Sequence, residues 1–262
     1  MSYNIFDKFK YVSVEGNIGA GKTSLTKIIS KKYKIKGLFE NYIDNPYLKS
    51  FYKNPKKYSY DVETYFLKER IKSLQDSMLD KNQAIVADYS LYKSLIFSKQ
   101  NLNSSDFKKY NLEYEKGLSL IKEPNLIIYL NAPTWFLLDR IKKRGRVFER
   151  NISEGYLKTI EKGYKGFFNK KKSFKVLFYD IIDKDFIKND FDLNHLLKKV
   201  YNLWSLLTKS HITIPEATLI FNECFVPNCG ISIDLFIREI NSWDTPLISF
   251  PKTKAYFKFG FG

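Results

Sequence analysis

The feature that most constrains the fold is Gly16-Asn17-Ile18-Gly19-Ala20-Gly21-Lys22-Thr23, set behind the apolar run Tyr11-Val12-Ser13-Val14. It has the G-x-x-x-x-G-K-[ST] spacing of a phosphate-cradling loop that joins a strand to a helix. The setting agrees, because residues 11–14 read as a buried strand and 24–33 as a helix. Glycines at 16, 19 and 21 free the backbone to turn its N–H groups toward a polyphosphate. The positive end of the following helix points at the same anion. Lys22 is placed to reach the outer phosphates, and the Thr23 hydroxyl to ligate magnesium. A mere glycine turn that carries a lysine has no need of this full spacing. The loop therefore predicts binding of a nucleoside triphosphate by residues 16 to 23.

Beyond the loop, short apolar runs alternate with helical periodicity, the signature of an α/β fold with a parallel sheet. Candidate strands are 11–14, 38–40, 84–87, 126–130 and 176–179, and candidate helices are 22–34, 57–80, 90–100, 105–121, 133–143, 152–169 and 192–206. The expected architecture is a five-stranded parallel sheet flanked by helices. Its 262 residues allow one large domain with a small appendage, and a hydrophobic fraction of 44% supports a full core. No apolar run approaches the roughly 18 residues of a membrane span, and residues 1–10 lack an apolar signal core. Cys224 and Cys229 are the only cysteines, which excludes a disulfide scaffold and suits a reducing cytoplasm. Their C-x4-C spacing is half a metal site, with only His211 nearby.

The net charge of +16 raises the question of a nucleic-acid partner. The lysines are spread through nearly every helix rather than gathered on one, so no dedicated nucleic-acid surface is expected. Near residue 207 the composition changes. The tail from 208 is charge-neutral, reads as strands at 218–221, 231–237 and 255–261, and is broken by prolines at 215, 227, 246 and 251. Residues 1–207 are expected to form the main domain and 208–262 an appendage.

Four further stretches carry chemistry. Glu40 ends the second candidate strand, where the carboxyl ends of a parallel sheet form a ligand crevice. A carboxylate there can accept the proton of an attacking hydroxyl, although a solvated strand end is the plainer reading. Asp88 closes the third strand and is the expected partner of Thr23 around magnesium. Arg140 and Arg144 lie four apart on one helix face, Gly145 breaks that helix, and Arg146 and Glu149 follow. Such an arginine cluster suits charge on a phosphoryl group in transfer; the alternative is a basic helix end complementing its dipole. Glu63 and Arg70 are two turns apart and share a face with access to one ligand, with Tyr52 just before.

Together these residues resemble the deoxyribonucleoside kinase family over about residues 10–202, in the bacterial branch similar to deoxyguanosine kinases. The resemblance is carried by residues 16–23, Asp44-Asn-Pro-Tyr-Leu-Lys-Ser-Phe-Tyr52, Phe66-Leu-Lys-Glu-Arg70, residues 88–97 and the R-x-x-x-R-G-R-x-x-E run of 140–149. It implies a P-loop kinase fold with an arginine lid, a homodimer, and transfer of the ATP γ-phosphoryl group to the 5′-hydroxyl of a deoxynucleoside. By position, Glu40 matches the general base, and Arg140, Arg144 and Arg146 match the lid. Tyr52 and Glu149 match the pair on the sugar 3′-hydroxyl, Arg70 the arginine at the base edge, and 180–186 the adenine loop.

Two departures stand out. Many members carry an arginine after the acid of the third strand, where this chain has Tyr89; Lys93 is the available substitute. Many have glutamine where this chain has Glu63. Glutamine donates and accepts, whereas an ionised carboxylate only accepts. Guanine offers adjacent donors at N1 and its 2-amino group, so Glu63 points to deoxyguanosine, with deoxyadenosine or deoxyinosine secondary. A nucleoside monophosphate kinase would need further basic residues for the acceptor phosphate, where the chain offers acidic Glu40 and Glu63. A non-catalytic nucleotide switch or nucleic-acid binder is the remaining reading.

Overall fold

Five apolar runs pair side by side into one parallel sheet in the computed structural model, which describes residues 4–80, 83–169 and 175–207. The strands are β1 (Tyr11–Gly16), β2 (Lys36–Leu38), β3 (Ile85–Ala87), β4 (Leu126–Asn131) and β5 (Lys175–Asp180), in the order β2-β3-β1-β4-β5. The helices are α1 (Lys22–Tyr33), α2 (Leu48–Lys53), α3 (Pro55–Ser77), α4 (Leu91–Asn101), α5 (Ser104–Ser119), α6 (Thr134–Arg144), α7 (Glu154–Phe168) and α8 (Asp190–Leu207). The α/β class, the five parallel strands and the flanking helices follow the sequence reading.

Helices cover both faces of the sheet, so alternate residues of each central strand enter different cores. On β4, Ile128 and Leu130 join Val12, Val14, Leu25, Ile29, Leu196 and Val200. Their neighbours Ile127 and Tyr129 face the other way, among Tyr92, Ile96, Ile160 and Tyr164. All the strands run the same way, so their carboxyl ends open on a single edge. The phosphate loop after β1, the segment after β2 and Asp88 after β3 meet there.

Two boundaries differ from expectation. The second strand is Lys36–Leu38 rather than 38–40, so Glu40 lies two residues beyond it. The ladder stops because the Glu40 N–H donates to the Asp88 carboxylate at 2.8 Å instead of to a strand carbonyl. The helix expected over 57–80 starts earlier, at Pro55, with the Asn54 side chain accepting from the Lys57 N–H. Proline has no N–H, which suits a first helical position and ends the preceding helix. Hence α2 is a separate helix of six residues, unanticipated from the sequence.

The tail strands, Cys224, Cys229 and the appendage of 208–262 lie outside the described residues. Among the described residues, no helix is long and apolar enough to cross a membrane.

Candidate active site

The loop between β1 and α1 takes its shape from glycines in the left-handed region. Gly16 has φ +146° and Gly19 φ +86°, and a Cβ on either would fall within 2.9 Å of a backbone carbonyl, of Leu130 or Leu137. Neither position admits a side chain. Gly21 caps α1 with φ 90°. The Asn17 side chain turns inward, its amide donating to Leu157 O at 2.8 Å, so only its backbone belongs to the loop surface. Lys22 crosses the loop and donates to Gly16 O at 2.9 Å and Asn17 O at 2.8 Å. Burial and then the like charge of Lys93 lower its ammonium to about 7, against the pull of Glu15, Glu40 and Asp88.

Asp88 joins the two sides of this edge. One oxygen accepts the Thr23 hydroxyl at 2.5 Å, and the other accepts the Glu40 N–H. A hard cation such as magnesium takes few protein oxygens and fills its octahedron with phosphates and water. A hydroxyl and a carboxylate beside a phosphate loop fit that donor set, so Thr23 and Asp88 fit the expected metal pair.

Glu40 is clasped from both sides. Arg70 of α3 bonds Oε1 through both Nε and Nη2, the former at 2.9 Å, and Lys93 of α4 bonds Oε2 at 2.6 Å. Burial opposes the charge, yet these two cations hold the carboxyl well below the usual carboxylate range. Lys93 thus supplies a cation beside the carboxylate, where Tyr89 offers none; the Tyr89 ring is buried in the core with Leu67 and Tyr110. Arg70 also donates from Nη1 to Ser94 at 2.6 Å, which anchors its guanidinium beside Glu40.

A cavity of about 870 Å³, its mouth included, extends from Lys22, Thr23 and Glu40 past Tyr52 and Phe97 to Glu63. Glu63 is 4% exposed at the far end, and burial raises its carboxyl to about 7, opposed by a hydrogen bond from Asn101. Tyr52 stacks on Phe148, ring centroids 5.8 Å apart.

The arginines separate. Gly145 ends α6 with φ 72°, as its sequence position suggested. Arg144 and Arg146 both pair with buried Glu149, and Arg146 also lies 3.7 Å over the Tyr42 ring; these groups line the cavity. Arg140 turns instead to the phosphate loop and donates to Ala20 O at 3.3 Å and Lys184 O at 3.4 Å.

Three contributors escaped the sequence reading. Glu15, the acid inside β1, accepts the Ser90 N–H and hydroxyl, each at 2.6 Å, and the Tyr164 hydroxyl at 2.9 Å. Asn101 and Tyr156 border Glu63. The signal for Asn101 was present, since Lys93, Phe97 and Asn101 recur every four residues along one face of α4.

Known proteins resemble this chain over most of its described residues. The deoxynucleoside kinase family profile matches residues 12–205. A Bacillus subtilis deoxyguanosine kinase is 37% identical over 200 residues, which is 74% of this chain and 97% of the relative. A Lactobacillus acidophilus deoxyguanosine kinase is 31% identical, covering 72% of this chain and 88% of its own. Among solved structures, an M. mycoides deoxyadenosine kinase with dCMP and a flexible dCDP superposes with TM-score 0.64 at 29% identity, over 73% of this chain and 98% of that one. The chain belongs to the deoxynucleoside kinase family.

Proposed function

We propose that this kinase transfers the γ-phosphoryl group of ATP to the 5′-hydroxyl of a purine deoxynucleoside, with deoxyguanosine preferred. The observation that carries the reading is one cavity with the Lys22–Glu40 edge at one end and buried Glu63 at the other. On this reading the sugar hydroxyl lies at Glu40 and the base at Glu63, both of which line the cavity. The similarity to two deoxyguanosine kinases supports the same choice.

Residues 16–23 hold the triphosphate, with backbone N–H groups around the phosphates and Lys22 on the outer ones. Thr23 and Asp88 would hold magnesium, which when bound would neutralise charge on the triphosphate. Glu40 accepts the 5′-hydroxyl proton. A carboxylate of low basicity suits a loose phosphoryl transition state, in which the hydroxyl loses its proton late. Lys93 and Arg70 fix the direction of that carboxylate, and Arg70 borders the purine as well. Arg140 approaches from the loop side, and Arg144 and Arg146 from the Glu149 side, as the lid over the transferring group. Tyr52 and Glu149 bind the sugar 3′-hydroxyl.

At the base end, ionised Glu63 accepts from N1–H and the 2-amino group of guanine. Thymine would set two carbonyls against it. A coupled assay of ADP release with ATP and each of the four deoxynucleosides tests the reading, and deoxyguanosine should turn over fastest. Glu63→Gln should lower the deoxyguanosine-to-deoxyadenosine ratio about tenfold or more, since an unpaired buried polar group costs about 1–3 kcal/mol. A ratio that does not move removes Glu63 from base selection.

A further inference from the structure

Glu63 does not face the cavity alone. Asn101, the last residue of α4, donates its amide Nδ2 to Glu63 Oε1 at 2.6 Å. Tyr156 of α7 interacts with the same Asn101 side chain. An amide nitrogen only donates, so Oε1 is committed as an acceptor in either protonation state of the carboxyl. Any proton on Glu63 therefore resides on Oε2. The ionised group offers acceptors alone, the complement of the guanine N1–H and 2-amino edge. The protonated group offers an O–H donor beside an acceptor, the complement of adenine N1 and N6.

We propose that Asn101 is a positioning residue for base selection: it holds Oε1, leaves Oε2 as the single switching atom, and makes the guanine–adenine preference turn over with the proton on Glu63. The inference rests on the purine lying at the Glu63 end of the cavity.

The groups around Glu63 set where the turnover falls. Burial disfavours the anion most, and the Asn101 hydrogen bond is the largest pull in its favour. Arg70 on the same helix and Lys93 on α4 also favour the anion, while Glu40 opposes it. The phenols of Tyr52 on α2, Tyr110 on α5 and Tyr156 on α7 are raised by burial and stay neutral near pH 7. Arg144 and Glu149, at the cavity wall, are paired with each other. The turnover is therefore expected near pH 7, with adenine gaining below it and guanine above it.

The test is kcat/KM for deoxyguanosine and deoxyadenosine from about pH 6 to about 8.5, in the full chain, Asn101→Ala and Glu63→Gln. General effects of pH on phosphoryl transfer cancel in the ratio of the two substrates. In the native chain the ratio should rise with pH, by up to about tenfold per pH unit, through a crossover near the midpoint. Deoxyinosine, which keeps N1–H, should follow deoxyguanosine. Asn101→Ala removes the donor that favours the anion, so the midpoint should move to higher pH. Glu63→Gln should give a flat profile. Asn101→Ser repeats the test if the alanine variant does not fold. A flat native ratio overturns the proposal, as does a midpoint that ignores the Asn101 substitutions. Absence of turnover with every deoxynucleoside would instead strike the reading on which it rests.

Discussion

Lys22 is held over the phosphate loop by two carbonyls, and burial beside the Lys93 ammonium brings it down to about 7. Above that pH the side chain is largely neutral. A triphosphate brings negative charge to the same place and favours the ammonium, so its arrival raises the lysine again. Nucleotide binding at pH 8 should therefore take up close to about one proton, and affinity should fall as pH rises further. Calorimetry in two buffers of different ionisation enthalpy measures the uptake, and Lys22→Met should abolish it. Equal heats in the two buffers with the native chain would refute the argument. At this scale the sequence was informative where chemistry is local. Lys22, Thr23 and Asp88 follow from spacing and strand ends. Asn101 was signalled only by its four-residue spacing from Phe97 and Lys93, and Tyr156 owes its place to how α7 packs, which spacing along one segment does not disclose.

Elements are tied together by one buried acid. Glu15, inside β1, accepts from Ser90 at the start of α4 and from Tyr164 on α7, so a single carboxylate stitches sheet to two helices. Burial pushes this carboxyl upward while Lys93 and Ser90 pull it down. Tyr164→Phe keeps the ring packing and removes one hydrogen bond to this acid. A hydrogen bond to a charged group contributes about 1.5–3 kcal/mol, so the melting temperature should drop by about 5 °C. A thermal melt that is unchanged would show the carboxylate satisfied without the phenol. The three six-residue strands and the long helices were legible because their apolar pattern extends over enough residues, and three-residue β3 because all of it, Ile85-Val86-Ala87, is apolar and buried. β2 has three residues and α2 has six, too few for a period to show. Their limits come from the Asp88–Glu40 hydrogen bond and from Pro55.

For the whole molecule, α8 decides how much chain the kinase needs. Leu193, Leu196, Leu197 and Val200 enter the same core as Val12 and Leu177, and the family match ends at 205. A chain ending at Leu207 should keep the ADP release of the full protein. One ending before Asp190 exposes these side chains, each stabilising by about 1.5–3 kcal/mol when buried, and should lose cooperative unfolding. Activity after the shorter cut would remove α8 from the folding unit. The Asp88 carboxylate, which accepts from Thr23 on one side and from the Glu40 backbone on the other, has a consequence at this scale too. On the proposed reading donor and acceptor sites share this one side chain, so whatever repositions it for one substrate changes the free energy of admitting the other. The linkage is reciprocal: the factor by which nucleotide alters nucleoside affinity is the factor by which nucleoside alters nucleotide affinity.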